Sequence, residues 1–154
     1  MKTVSNIILM LSVLLFNTAY SVAEEASVAT KTALRVEVSG LQDAQGSIHI
    51  SVYNSDDTWL GEETVLRREV VIADARSEGV VSAELHLPPG EYALSIYYDS
   101  NGNGDLDTNF IGIPKEPVAS SNNAPAKFGP PKYKDAVFTL GNELVTQRIS
   151  MEKI

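Results

Sequence analysis

Residues 34–39 read Leu34-Arg35-Val36-Glu37-Val38-Ser39, and residues 48–52 read Ile48-His49-Ile50-Ser51-Val52. Apolar and polar side chains alternate through both stretches. Successive side chains of a strand point to opposite faces, so a period of two makes one apolar face and one polar face. The turn residues 42–46 lie between the two runs, and the simplest reading is an antiparallel hairpin. Working outward, residues 65–72 and 80–87 give two further strands around a charged turn at 74–79. Pro88-Pro89-Gly90 makes a tight connection into a strand over 92–98, and strands over 136–140 and 144–151 are joined by Gly141 and Asn142. Residues 54–63 read as a loop whose Trp59 and Leu60 fold back on the core. No stretch after residue 23 keeps a helical period for three turns. About seven short strands, each with one face to bury, predict an all-β fold: a single antiparallel β-sandwich, with a small barrel as the alternative.

The amino terminus speaks to the compartment. Lys2 is followed by an apolar run over 7–16 and by the small-residue pattern Ser21-Val22-Ala23, the layout of a secretory signal peptide spanning 1–23. The run is shorter than the roughly 20 residues a membrane-spanning helix needs. The chain is therefore expected to be secreted, periplasmic or extracellular, with no membrane insertion after cleavage. Residues 24–32 are small and polar and read as a flexible leader, leaving 33–154 as one domain with a full core. The absence of cysteine excludes disulfide scaffolds, thiolate metal sites, thiol catalysis and a lipid anchor on cysteine. Twelve basic residues face 20 acidic ones, a net charge of −8. Cleavage would remove Lys2 and make the balance more negative, which argues against nucleic acid and anionic lipid surfaces as partners.

The strongest chemical signal is Asp99-Ser100-Asn101-Gly102-Asn103-Gly104-Asp105-Leu106-Asp107. Calcium needs six to eight oxygen ligands, and numbering from Asp99 places Asp99, Asn101 and Asn103 at positions one, three and five of a calcium loop. Gly104 falls at the sharp turn, the carbonyl of Asp105 at position seven and Asp107 at position nine. The twelfth position, where a bidentate Glu belongs, is Phe110, and a strand rather than a helix precedes Asp99. A calcium-type loop that is not an EF-hand is expected, with affinity about 10⁻⁴–10⁻³ M. Asp, Asn and Gly are also ordinary turn residues, which is the competing reading. The stretch from 99 to 135 lacks strand periodicity yet carries Phe110, Ile111, Ile113, Phe128 and Tyr133, which marks it as one long ordered loop.

Catalysis finds few parts in this chain. The two histidines, His49 and His86, fall on the polar parity of strands, and no nucleophile elbow, zinc helix or phosphate loop is present. A carboxylate-based glycoside hydrolase would draw on Asp105, Asp107 or Glu116. Acidic residues among asparagines are better explained by metal or turn chemistry, so no enzyme is expected. The reading from another class is recognition of a cell-envelope glycan or a protein by the loop over 110–134. Tyr97, Tyr98, Phe110, Phe128 and Tyr133 would form an aromatic platform, Asn122 and Asn123 would supply hydrogen bonds, and Lys115, Lys127, Lys132 and Lys134 a positive rim.

Pro89, Gly90 and Tyr92, the Asp99–Asp107 loop, Gly112-Ile113-Pro114-Lys115-Glu116, Ser121-Asn122-Asn123, Gly129-Pro130-Pro131 and Ala136 with Phe138 together resemble the bacterial secreted family named domain of unknown function 2141. The resemblance covers nearly all of the chain after the leader. It implies a signal peptide and a β-sandwich and brings no established activity. Residues 117–120 depart from the pattern, which leads one to expect an aromatic and a glycine before Ser-Asn-Asn. Pro88-Pro89-Gly90-Glu91-Tyr92 followed by Asp and Asn is also similar to prealbumin-type and immunoglobulin-like sandwich modules of bacterial surface proteins, in which calcium loops stiffen connections. The expectation is thus a secreted, non-catalytic sandwich whose calcium-type loop anchors a long ordered segment.

Overall fold

A computed structural model describes residues 31–41 and 44–151. The signal-peptide reading, and the leader up to residue 30, lie outside the described residues. Thr32, assigned to that leader, is instead the buried first residue of a strand.

Two sheets pack face to face. The first has the order β4-β5-β1-β9, from β1 (Thr32–Ser39), β4 (Arg76–Ser77), β5 (Val80–Leu87) and β9 (Val145–Ser150). The second runs β3-β2-β6-β7, from β2 (Ser47–Tyr53), β3 (Leu66–Val71), β6 (Gly90–Asp99) and β7 (Val118–Ser120), with β8 (Phe138–Leu140) also paired to β6. Leu34, Val36 and Val38 of β1 face Ile48, Ile50 and Val52 of β2, Leu94 and Ile96 of β6, and Ile149 of β9 in one buried cluster. The alternation read from the sequence thus sorts inside from outside correctly. Burying an apolar side chain of this size contributes about 1.5–3 kcal/mol, so the two apolar faces supply the main drive to stack the sheets.

The hairpin expected between residues 34–39 and 48–52 does not form. β1 pairs with β5 and β9, and β2 with β3 and β6, so β1 and β2 sit in different sheets. Periodicity fixes which face is apolar and leaves the partner open, because either neighbour buries the same side chains. The β1–β9 pair is parallel within an otherwise antiparallel architecture.

Among the described residues there are nine strands, where about seven were expected. Residues 74–79 split into a one-turn helix α1 (Ile72–Ala75), then β4, which pairs with β5 through Glu78 and Gly79. Both of these have positive φ, 51° and 81°, as a two-residue type I′ turn requires. The second added strand, β7, lies inside the long loop. Residues 136–140 form a strand only from Phe138, because Ala136 ends the one-turn helix α2 (Tyr133–Ala136).

Candidate functional site

The outer face of the second sheet is built in cross-strand rows. Glu69, His49, Tyr97 and Val118 form one row across β3, β2, β6 and β7, and Arg67, Ser51, Ser95 and Ser120 form the next. The His49 and Tyr97 rings stack, with centroids 4.7 Å apart and planes 5° from parallel. His49 is not the solvent-facing residue its parity suggested. Its Nε2 is buried without a hydrogen bond and lies 3.5 Å from Asp99 Oδ2.

What covers this face is the loop that leaves β6, and two carboxylates hold it down. Asp99 is 2% exposed, and its oxygens accept the N–H groups of Gly102 at 2.6 Å and Gly104 at 2.8 Å. Both glycines have positive φ, 73° and 83°, the backbone conformation that turns those N–H groups back on the carboxylate. Burial raises the Asp99 pKa, but the N–H groups of Gly104, Gly102 and Asn103, with His49 behind them, outweigh it and hold the carboxyl below its ordinary value. Glu116, 5% exposed, works from the returning arm of the loop. Oε1 accepts the Ser100 N–H at 2.9 Å and its hydroxyl at 3.2 Å, while Oε2 accepts the Asp107 N–H at 3.1 Å.

Asn101, Asn103 and Asp107 close the loop among themselves. The Asn101 and Asn103 oxygens accept the N–H groups of Asn103 and Asp105, and their amide nitrogens donate to Asp107 at 2.8 and 3.3 Å. The structure therefore brings the expected calcium-loop side chains together, with hydrogen-bond donors rather than an open cage between the carboxylates. Among the described residues, no group of three or more His, Cys, Asp and Glu side chains is placed to hold a metal ion. In this arrangement the Asn101 and Asn103 amide nitrogens, not their oxygens, face Asp107. Asp105, Asp107 and Glu116 also formed the glycosidase reading. Asp107 and Glu116 are engaged by donors of the loop itself, and Asp105 is exposed.

Beyond Asp107 the chain makes a tight excursion. Asn109 Oδ1 accepts the N–H groups of Ile111 and Ile113, Thr108 bridges Pro114, and the Lys115 N–H returns to the Asp107 carbonyl at 2.8 Å. The exposed side chain of Lys115 stands at the foot of this excursion and Phe110 at its tip, 97% exposed.

The other predicted binding residues take structural parts. Asn122 and Asn123 sit in a one-turn 3-10 helix (Ser121–Asn123), both with positive φ. The Asn123 amide donates to the Arg148 carbonyl at 3.1 Å and accepts the Ser150 N–H at 2.8 Å, so one side chain imitates a strand along the edge of β9. Asn122 donates to the Val137 carbonyl at 2.8 Å. These amides are engaged by backbone groups of neighbouring segments. The aromatic platform also separates. Tyr97 faces outward and Tyr98 packs on the core, because neighbours in a strand cannot share a face. Tyr133 packs edge-on against Trp59, and Trp59 Nε1 donates to the Pro131 carbonyl at 2.8 Å, tying the end of the loop to the body. Phe128 is fully exposed with a positive φ of 59° and joins neither group.

Between the clamped loop and the sheet lies a groove of about 1070 Å³. Its floor is His49, Ser51, Ser95, Tyr97 and Arg67. The rest of the lining includes Leu106, Ile111, Ile113 and Pro114 together with Ala126, Pro130 and Pro131. Serines on the floor leave the depth that larger side chains would fill. Burial first, then the charges of Asp99, Asp105 and Glu116, raise the Tyr97 pKa, and Arg67 opposes them. Sequence reasoning missed Arg67 and the lining role of Ser51 and Ser95. It placed Glu116 among possible catalysts, and its only signal as a clamp is a carboxylate next to a proline after an apolar tip.

Comparison with known proteins sharpens the kinship and leaves the activity open. No curated protein and no solved structure matches this chain. The stretch where the chain departs from the expected pattern, residues 117–120, contains β7, whose Val118 and Ala119 line the groove. Residues 36–148 match the family described as "uncharacterized protein conserved in bacteria (DUF2141)", and the chain belongs to that family.

Proposed function

We propose that this chain is a secreted, non-catalytic recognition module that holds a ligand in the groove between the outer face of the second sheet and the clamped loop. The groove itself carries the reading. Its volume lies just above the usual range for ligand sites, and its lining is mostly apolar with a few polar groups, the usual composition of such sites. Aliphatic and prolyl walls suit an apolar or amphipathic ligand better than a glycan, and neither Phe110 nor Phe128 lines the groove. Secretion is supported by the apolar run over 7–16 and by Ser21-Val22-Ala23. The test fills the groove. Ser95→Trp is expected to weaken binding of an apolar reporter dye at least about tenfold with the urea midpoint of unfolding unchanged, and Ile113→Asp to weaken it from the roof. Dye affinity unmoved by both substitutions would end the reading.

A cation-bound form of the loop is the second reading, favoured by the convergence of Asp99, Asn101, Asn103 and Asp107 with Glu116 behind them. It requires Asn101 and Asn103 to turn their oxygens toward Asp107. A rise in melting temperature with millimolar calcium, lost in Asp107→Ala, would support it; free calcium stabilises a form that binds it by about 1.4 kcal/mol for each tenfold excess over Kd. An unchanged melting temperature would remove it.

A further inference from the structure

We infer that the groove takes an amphipathic anion, an apolar chain or ring system carrying a single carboxylate or phosphate, with the charged head on Arg67. This rests on the recognition reading above and goes further by naming the ligand chemistry. Ile111, Ile113, Pro130 and Pro131 give the lining apolar surface, while Arg67, Ser51 and Ser95 lie in one register row on the floor, with Arg68 the other basic residue of the lining. Asp105 lies at the Tyr97 end, and Asp99 and Glu116 are buried beneath loop donors. Glu69, one row from Arg67, accepts the Ser47 hydroxyl at 2.8 Å. Arg67 differs from the other arginines that meet acids. Arg35 pairs with Glu84 and Arg148 with Glu37, whereas Arg67 donates through Nη2 to the neutral carbonyl of Glu62 and, among the described residues, pairs with no carboxylate. A guanidinium offers five N–H donors in a fork that matches a carboxylate or phosphate. A neutral ligand lying over it would strip water from that charge without replacing the hydrogen bonds, and an anionic head replaces them. The groove far exceeds a free phosphate or acetate, so the apolar body is needed to fill it.

Titration calorimetry below the micelle threshold with dodecanoate, dodecyl phosphate, dodecanol and acetate tests this on the exported protein. Dodecanoate, dodecyl phosphate or both should bind about ten- to hundredfold more tightly than dodecanol, with acetate undetectable. Arg67→Gln should bring the anions down to the dodecanol level, Arg67→Lys should restore part of the gap, and Ser95→Trp should abolish binding of all three long chains. The stronger of the two anions identifies the head group. Dodecanol binding as tightly as dodecanoate, or anion affinity indifferent to Arg67→Gln, would overturn the inference while leaving the groove reading intact. Anion binding that survives Ser95→Trp places the amphiphile elsewhere and overturns it too. If no long chain binds and the dye is equally indifferent to Ser95→Trp, both readings fall together.

Discussion

Replacing Ser121 by alanine is expected to destabilise the fold by about 2–4 kcal/mol, a large share of what holds a domain of this size together. The reason is a gap in the second sheet. On its outer edge β6 pairs with β8 through Gly90–Tyr92 and with β7 through Ser95–Tyr97, which leaves Leu94 between the two partners. The fully buried Ser121 hydroxyl fills that gap, accepting the Leu94 N–H at 2.8 Å and donating to the Ala136 carbonyl at 2.6 Å. Alanine leaves a buried donor and a buried acceptor unpaired, and each orphaned group costs about 1–3 kcal/mol. Urea unfolding should show a lower midpoint at unchanged slope. A loss under about 0.5 kcal/mol would mean that water takes the place of the hydroxyl and that the latch is not needed.

Releasing the loop from either side is expected to unroof the groove without unfolding the sheets. Glu116→Ala removes a buried charged acceptor from the Ser100 and Asp107 N–H groups. Hydrogen bonds to charged groups contribute about 1.5–3 kcal/mol each, so hydrogen exchange at those two amides should accelerate by at least about tenfold while Ile50 and Ile96 keep their protection. Asp99→Ala should do the same at Gly102 and Gly104, and both variants should weaken binding in the groove. Acid offers the same release in the unaltered protein. The folded Asp99 pKa lies below its ordinary value, so its contribution is fully present above about pH 4, the unfolded carboxyl range, and is lost as pH falls through the folded value. Loop amides should therefore gain exchange only below about pH 4, after correction for intrinsic rates. Release beginning well above pH 4 would show that Asp99 is not the group that controls the loop.

Much of this molecule follows from local pattern, and the exceptions have physical causes. The parity of Leu34, Val36 and Val38, and of Ile48, Ile50 and Val52, reads off the core directly, because a strand has only two faces. The mistaken hairpin arose because parity is silent about partners. Asp99 was recognisable as the key residue of its loop, since its donors lie within five positions of it. Its companion Glu116 was not, because 16 residues separate it from the Ser100 N–H it accepts. Asn122 and Asn123 looked like ligand donors for the same reason. Their backbone partners on Val137, Arg148 and Ser150 are too distant in sequence for a motif to show.

Local pattern alone was enough for an all-β sandwich, a family, and a turn-rich loop opening after Asp99, since alternation and Asx–Gly chemistry act over a few neighbouring residues. It took the assembled fold to set which strands meet, that Glu116 closes the loop, that Tyr133 and Phe128 part company, and that Arg67, Ser51 and Ser95 line one groove with Ile111 and Ile113. Those facts depend on contacts between segments far apart in the chain, where burial and hydrogen-bond satisfaction are settled by the whole fold.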